Sequence, residues 1–248
     1  MYCFSLMLVV IFTFSTSSGS LPSEFELCHN GDVNCIPKAA SKFLKLIVNG
    51  REDLKIPRLE PFRVDLLNIT QKSGQFSAVL KIIDADIHGF SNVLFEKAVG
   101  FEADPKRSRF EIYGRTPELK INGKYSIDGR VFSFPVQGNG NLNCILKDVG
   151  IGIKFKPDTL TQNDKTFIKL NKLKMLVTTG KLSIHLSNLF NGDKVLGDTV
   201  NAFLNENWSL FWEEIQDSFS QEATKVVRGI VDSVLERFSY DNFFLQSD

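Results

Sequence analysis

The spacing of apolar residues divides the chain into a short helical segment, a long stretch of β-forming runs and a long helical segment. In the first of these, IPKAASKFLKLIVNG (36–50), apolar residues recur every three or four positions between Ile36 and Val48. Pro37 suits the first position of a helix, and Asn49–Gly50 is a stop signal. The pattern therefore predicts a short amphipathic helix whose apolar face packs against the rest of the protein.

The middle of the chain, from about Leu54 to Leu186, consists of short β-forming runs separated by Gly, Pro, Asn and Asp. Phe132, Phe134 and Val136 are two residues apart, which predicts a strand that carries these three side chains on one face. Repeated runs of this kind with turn residues between them indicate an antiparallel sheet.

A change of phase within the next run predicts that the sheet bends. Apolar residues occupy even positions from Leu142 to Leu146 and odd positions from Val149 to Phe155. Such a change needs an extra residue near 147–148, a β-bulge that bends the strand. Strands interrupted by bulges and glycines are typical of curved sheets. The middle of the chain is therefore predicted to form a strongly curved antiparallel sheet.

The C-terminal segment has apolar residues at helical spacing from Leu196 to Phe238. Between Phe211 and Ala223 the step is four residues, more than the 3.6 of a straight helix, so the apolar stripe drifts around the helix. The helix must then curve, break or be enclosed on more than one side, and Gly229 is a candidate weak point. A continuous helix here would be about 65 Å long. We therefore expect an elongated α+β fold in which the curved sheet wraps a long C-terminal helix.

The composition favours a large apolar interior. The chain has 22 Phe but only 4 Tyr and 2 Trp, and Phe adds apolar area without a polar group. An ordinary core and a core with a cavity both fit this excess. Lys plus Arg and Asp plus Glu each number 29, so no net charge recruits nucleic acid or an anionic membrane.

Residues 1–20 are predicted to be a signal peptide. The apolar run from Phe4 to Phe14 is too short to span a bilayer, which needs about 20 residues. Small polar residues follow, with cleavage expected near residues 18–20, although the usual basic residue before the run is missing. We therefore expect a secreted, soluble protein in which residues 21–248 form a single domain.

Secretion makes disulfides possible, and the cysteines that remain after cleavage are Cys28, Cys35 and Cys144. Cys28 and Cys35 flank the polar loop HNGDVN, and a bridge closing this loop would stabilise the fold by about 2.5 kcal/mol. Two ligands of a zinc site are the alternative, but no second pair of Cys or His follows at a usable spacing. Cys144 is then a buried small side chain, a site of pairing with another chain or a thiol that lines a cavity.

Two acceptor motifs for N-glycosylation occur, NIT at Asn68 and NWS at Asn207. Asn68 lies between apolar runs, near a predicted turn after a strand, and is the expected site. Asn207 falls on the apolar face of the predicted helix, where a glycan would block packing.

The sequence contains no familiar motif for catalysis, metal binding or cofactor binding. His29, His88 and His185 have no other ligand type at metal-binding spacing, and H-E-x-x-H is absent. G-x-S-x-G is also absent, and the GNG at 138–140 lacks the third glycine of a dinucleotide-binding loop. We therefore expect a protein without enzymatic activity, metal or cofactor.

Several stretches taken together resemble one family of secreted insect proteins. They are the Cys28–Cys35 pair, IPKAASKFLKLIVNG, LKIPRLEPFRVDLLNI, ADIHGFSNVLFEKA, YSIDGRVFSFPVQGNGN and NLFNGDKVLGDTVNAFLNENW. The last stretch is the most specific, because its Leu-Phe-Asn-Gly turn, Asn201 and Trp208 occur together and in order. On these motifs the chain is similar to the takeout and juvenile hormone-binding protein family over nearly its whole mature length.

The resemblance implies a fold with an internal hydrophobic tunnel between the helix and the sheet, as in one half of the larger TULIP lipid-transfer proteins. It implies a carrier of a long hydrophobic ligand, a fatty acyl or isoprenoid chain, in haemolymph or a similar fluid, and some members are linked to feeding or to the circadian clock. The hormone-carrier branch has a second disulfide, for which Cys144 has no partner in this sequence. The chain therefore looks more like the takeout branch, which weakens juvenile hormone itself as the ligand.

Within this picture we expect the tunnel lining to come from one face of the sheet and the facing side of the helix. The residues are Phe132, Phe134, Val136, Leu142, Cys144 and Leu146 from strands and Val200, Phe203, Leu204 and Phe211 from the helix. Ordinary core packing is the alternative for each of them. Tyr125 is a candidate polar anchor for a ligand head group, with a surface strand position as the alternative. We expect a monomer, and a secreted signalling protein whose bound lipid is structural is the alternative function.

Overall fold

A computed structural model of the protein describes residues 21–246 apart from 73, 108 and 133. The predicted signal peptide, residues 1–20, lies outside the described residues and stays a prediction. The described residues form three α-helices, one sheet of seven strands and five short 3-10 helices. The 3-10 helices are Glu52–Leu54, Phe90–Asn92, Pro105–Arg107, Phe190–Gly192 and Tyr240–Phe243.

The sheet is antiparallel and confirms the prediction for the middle of the chain. Its strands are β1 (Phe62–Gln71), β2 (Phe76–His88), β3 (Leu94–Val99), β4 (Phe110–Val131), β5 (Phe134–Gln162), β6 (Lys165–Thr178) and β7 (Lys181–Leu186). The main order is β1-β2-β4-β5-β6, with β3 paired to β4 and β7 paired to β5. Strands β4 and β5 are the longest, and the smaller strands are arranged along them.

The predicted bend is present where β5 passes through Lys147 and Asp148. Leu146 and Val149 are fully buried while the two residues between them are exposed, so the change of phase is confirmed. Asp148 has a left-handed φ of +50°. The predicted extra residue is wrong, because the register between β4 and β5 is the same on both sides of the bend. Pro117 of β4 lies at this level, so the two strands bend together.

The predicted strand through Phe132, Phe134 and Val136 is wrong. Strand β4 ends at Val131, and Phe132 lies in the turn before β5 with a φ of +55°. Phe134 begins β5 and is 45% exposed, whereas Val136 is buried. A hairpin turn therefore interrupts the two-residue alternation on which the prediction was based.

The C-terminal segment forms two helices, α2 (Lys194–Glu206) and α3 (Trp208–Leu235). They are separated at Asn207, whose φ of −107° and ψ of 30° are not helical. The predicted weak point, Gly229, lies inside α3 instead. Helix α3 alone is about 42 Å long by its rise per residue, so the long helix is confirmed and its break is displaced towards the N-terminus.

Helix α2 is attached to the free edge of β7 by two asparagines. The Asn201 side chain donates to the carbonyl of Leu186 and accepts from its N–H, both at 2.9 Å. Asn205 does the same with Ile184, at 2.7 and 3.0 Å. Each amide therefore pairs with a strand edge as a neighbouring strand would.

Helix α3 continues this pairing along the free edge of β6 with polar side chains four residues apart. These are Gln216 (Val177 O, 2.8 Å), Ser220 (Val177 N, 3.1 Å), Thr224 (Met175 N, 3.0 Å) and Arg228 (Leu170 O, 3.1 Å). We call these four residues together with Asn201 and Asn205 the edge clasp. At the other margin of the sheet, Ser218 donates to the carbonyl of Thr70 in β1 at 3.1 Å. The helix therefore bridges the two margins of the sheet, and the prediction that the sheet wraps the helix is confirmed.

Helix α1 (Cys35–Ile47) confirms the first predicted helix and packs on β3. The chain leaves the helix at Gly50, whose φ is +87° and whose N–H donates to the carbonyl of Ile47 at 2.8 Å. The predicted disulfide between Cys28 and Cys35 is confirmed. Next to it, the N–H of Leu245 donates to the carbonyl of Cys28 at 2.9 Å, so the C-terminal end of the chain lies against the disulfide loop.

Candidate functional site

The interior between α3 and the sheet contains a first apolar cavity of about 50 Å³. The sheet contributes Leu67, Ile87, Leu119, Ile121, Ile151, Met175 and Val177, and α3 contributes Phe219, Glu222, Ala223, Val226 and Val227. Phe90, before β3, completes the lining. Apart from Glu222, all of these side chains are apolar, so the cavity offers no site for ordered water.

A second apolar cavity, of about 20 Å³, lies next to the first along α3. Its lining comes from β1, β2, β4, β5 and β7 and from Phe211, Trp212, Ile215 and Phe219 of the helix. Ile121 and Phe219 line both cavities. The two cavities therefore lie end to end along the helix, with the half-buried ring of Phe219 between them.

The two cavities are far smaller than a ligand site, which has a volume of roughly 300–1,000 Å³. A chain-like ligand would have to widen the interior by moving Phe219 and its neighbours or by shifting α3 away from the sheet. The hydrophobic tunnel implied by the family resemblance therefore stays a prediction. The cavities mark the line along which such a tunnel would open.

Four of the predicted lining residues line the second cavity, namely Leu142, Cys144, Leu146 and Phe211. Three more, Val136, Val200 and Leu204, are buried in the same core and line neither of the two cavities. The structure thus brings seven of the predicted lining residues into one core, and their contact with a ligand stays a prediction.

The remaining three, Phe132, Phe134 and Phe203, form an aromatic cluster at the turn between β4 and β5, and Phe132 also packs against the core. The ring of Phe203 lies 5.1 Å from that of Phe132 and 5.5 Å from that of Phe134, both edge-on. None of the three lines either cavity. Their proposed contact with a ligand stays a prediction that the arrangement of the rings does not favour.

Tyr125 is buried, so the alternative of a surface position is wrong. Its hydroxyl donates to the carbonyl of Ser187 at 2.7 Å, and burial raises its pKa to about 12. The hydroxyl proton is therefore engaged in tying β4 to the chain after β7. A ligand anchored here would have to donate a hydrogen bond to the hydroxyl oxygen, and this role stays a prediction.

Glu222 was missed by sequence reasoning. Among the described residues that line the first cavity, it is the one with an ionisable side chain, which is 14% exposed. Its Oε1 lies 2.5 Å from Nζ of Lys225, one helical turn along α3. The only signal in the sequence was its position next to Ala223, a residue of the apolar stripe. An acidic residue at such a position is usually assigned to the solvent-facing side of a helix. The wall of the first cavity is almost entirely apolar, so Glu222 borders it with its methylene groups while its carboxylate pairs with Lys225.

Cys144 is a buried free thiol in the second cavity, and burial raises its pKa to about 12. We expect its reaction with an aromatic disulfide reagent at pH 8 to be slower than that of an exposed thiol by a factor on the order of 10³. In denaturant the reaction should become fast and release one equivalent. Rapid labelling of the folded protein would contradict this prediction and show that the interior opens readily.

The two glycosylation motifs lie in different surroundings. Asn68 is exposed in the middle of β1, not near a turn as predicted, and accepts a hydrogen bond from Thr70 at 3.1 Å. Asn207 is half-buried at the helix break, where it donates to the carbonyl of Phe203 at 2.9 Å. The expected modification of Asn68 stays a prediction, and the engaged side chain of Asn207 is a poor acceptor.

The described residues between 21 and 246 contain neither a metal-binding cluster nor a membrane-spanning helix. No group of three or more His, Cys, Asp or Glu residues there could hold a metal ion. In the same part of the chain, no helix combines the length and the apolar character needed to cross a membrane.

Comparison with known proteins places these features in a family. The sequence model described as "Haemolymph juvenile hormone binding protein (JHBP)" matches residues 6–245. The chain is 27% identical to the circadian clock-controlled protein daywake of Drosophila melanogaster over 235 residues, 92% of this chain and 90% of that protein. The daywake protein of Drosophila yakuba is 25% identical with the same coverage.

A solved structure has the same fold. The crystal structure of Takeout 1 from Epiphyas postvittana superimposes with a TM-score of 0.78, covering 89% of this chain and 100% of that one. The two sequences are 20% identical. At this identity the likeness establishes the curved sheet with its long C-terminal helix and leaves ligand and physiology to other observations.

Proposed function

Because the chain belongs to the haemolymph juvenile hormone binding protein family, we propose that it binds one long hydrophobic molecule between α3 and the sheet. The molecule would be a fatty acyl or isoprenoid chain. The observation that carries the proposal is the row of two apolar cavities that meet at Ile121 and Phe219. A chain-like ligand would follow this row along the helix.

Binding of such a molecule does not require a dedicated polar contact. Removing apolar surface from water contributes about 25 cal/mol per Å², so a long chain has a large driving force for entering the interior. Part of it offsets the work of widening the two cavities and the loss of ligand freedom. Selectivity would then come from the length and width of the widened interior rather than from a polar contact.

We further propose that the protein is a secreted carrier, in line with the haemolymph origin in the family's name and with the disulfide. Carriage without chemical change of the ligand fits a family named for binding. The free Cys144 supports a takeout-like member over a hormone carrier with a second disulfide.

The proposal is tested by native mass spectrometry of the protein secreted from insect cells, followed by extraction and identification of any bound lipid. We expect one acyl or isoprenoid chain per protein, and uptake of a fluorescent long-chain fatty acid after the natural ligand is removed. A protein that is empty and takes up neither probe would contradict the proposal. A lipid that cannot be exchanged would instead favour a signalling protein with a structural lipid.

A further inference from the structure

The overall charge balance hides a strongly basic segment. Between residues 150 and 178, in β5 and β6 and the turn that joins them, there are six lysines and two aspartates. This is a net charge of +4 in a chain whose net charge is zero. The six are Lys154, Lys156, Lys165, Lys169, Lys172 and Lys174.

The strand register places several of these lysines on one outer face. Lys154 of β5 is directly opposite Lys174 of β6, and both are exposed. Lys156 lies two residues along β5 from Lys154 and is exposed as well. Lys169 is exposed opposite Asp158. We call the outer surface formed by Lys154, Lys156, Lys169 and Lys174 the lysine face.

The pairing on this face departs from ordinary sheet design. Like charges directly opposite each other destabilise a sheet, and Lys154 and Lys174 occupy such a pair. The acids that face them are Glu111, whose carboxylate lies 3.2 Å from Lys154, and Asp158. They leave an excess of positive charge on the face. A local rule broken in this way is expected where a surface has a function.

Exposed leucines lie at the two ends of the lysine face, Leu176 opposite Gly152 and Leu160 opposite Phe167. Leu160 of β5 is 41% exposed and Leu176 of β6 is 49% exposed, and by the two-residue alternation both point to the same side as Lys154 and Lys174. Lysines flanked by exposed leucines fit a surface that binds the interface of an anionic membrane, because the cations meet head groups while the leucines enter the boundary layer. A purely polar polyanion would gain nothing from the leucines.

The basic surface continues beside α3. An open groove of about 980 Å³ adjoins Lys154 and Lys174 and runs between the outer side of the sheet and the exposed side of the helix, above the hydrogen bonds that join β6 to α3. Its walls add Lys97, Arg115 and Lys225. Glu96 and Asp217 are the acids in these walls, and Glu96 lies 3.6 Å from Arg115. Positive charge therefore extends from the lysine face to the seam between β6 and α3.

We propose that the lysine face is a docking surface for a membrane that contains anionic phospholipid. Docked in this way, the protein would hold the seam between β6 and α3 beside the lipid. This seam is closed by Gln216, Ser220, Thr224 and Arg228 of the edge clasp. Docking does not depend on the proposed carriage of a ligand, although the position of the seam would serve ligand exchange with the membrane.

The test is co-sedimentation of the full secreted chain, stripped of lipid, with vesicles of phosphatidylcholine alone or mixed with phosphatidylserine. We expect binding to the mixed vesicles only, with an affinity that falls as salt is raised. The double substitution K156Q/K174Q should weaken partitioning roughly 30-fold, since each lysine near an anionic surface contributes about fivefold. The matched control K38Q/K81Q removes the same charge from exposed positions in α1 and β2 and should bind as the wild type does.

A third variant examines the apolar part of the surface. L160S/L176S should also weaken binding to the mixed vesicles while leaving the salt dependence unchanged. Circular dichroism of every variant checks that the fold is retained. Equal loss in K156Q/K174Q and in K38Q/K81Q would overturn the proposal, because the effect would then follow from net charge alone.

Two other results would overturn docking and point to a different role for the lysines. Retention on heparin without binding to mixed vesicles would assign the face to a polar polyanion. Absence of binding to either would mean that the lysines only protect the margin of the sheet from pairing with another chain. Both results leave the uptake of a long-chain fatty acid unaffected, so they are distinguishable from a failure of the proposed carrier function.

Discussion

Replacing Asn201 with Ala should lower the free energy of unfolding by about 3 kcal/mol. The side chain is 8% exposed and satisfies both the N–H and the carbonyl of Leu186, each at 2.9 Å. Alanine would leave these two backbone groups without a partner in a buried position. Each such group costs about 1–3 kcal/mol, and no other described side chain stands in for the amide.

The measurement is urea unfolding followed by circular dichroism. Asn201→Asp separates the two hydrogen bonds, because a carboxylate still accepts from the Leu186 N–H but faces the Leu186 carbonyl with a second acceptor. We expect it to be at least as destabilising as Ala. Asn171→Ala, at an exposed position of β6, is the matched control and should change stability by less than about 0.5 kcal/mol. An Asn201→Ala midpoint equal to that of the control would refute the role of the edge clasp.

The hydrogen bonds of the edge clasp were not predicted from the sequence, although the enclosed helix was. The drifting apolar stripe predicted a helix enclosed by the sheet, and the structure has this arrangement. The polar residues between the apolar ones were not interpreted, because a polar residue on a helix ordinarily faces solvent. Asn201, Ser220 and Thr224 instead face strand edges that are distant in sequence. Only the tertiary arrangement reveals partners of this kind.

The position of the helix break has a similar explanation. Gly229 has a weaker helix propensity than Asn207, but Gly229 lies inside α3. The break falls at Asn207, between Asn205, which pairs with β7, and Gln216, which pairs with β6. The helix changes direction where it passes from one strand margin to the next. Propensity is a weak guide where tertiary contacts decide.

Prediction of the candidate site succeeded where the strand alternation was unbroken. Leu142, Cys144 and Leu146 alternate without interruption in β5 and line the second cavity. The same two-residue spacing failed at Phe132 and Phe134, because a turn with a left-handed residue separates β4 from β5 at this point. No Gly, Asn or Asp marks position 132, so the usual signal of such a turn was missing.

Filling the first cavity is the second change for which we expect a large effect. Ala223 lies on α3 and faces Leu67, Ile87 and Val177 across the cavity. The ring of Phe in Ala223→Phe would occupy the space through which a ligand must pass between helix and sheet. We expect uptake of a long-chain fatty acid to fall at least tenfold, which corresponds to about 1.4 kcal/mol or more of binding free energy.

The small volume of the first cavity means that Ala223→Phe should also lower the stability of the protein. A cavity of about 50 Å³ accommodates only part of an added ring, so the substitution should cost about 1–3 kcal/mol of stability from overpacking while the protein stays folded. Ala202→Phe, on the exposed side of α2, adds the same ring without entering the interior and should take up the probe as the wild type does. Uptake is measured by fluorescence titration and unfolding by urea. A folded Ala223→Phe protein with undiminished uptake would place the ligand elsewhere, because no chain could follow α3 past that ring.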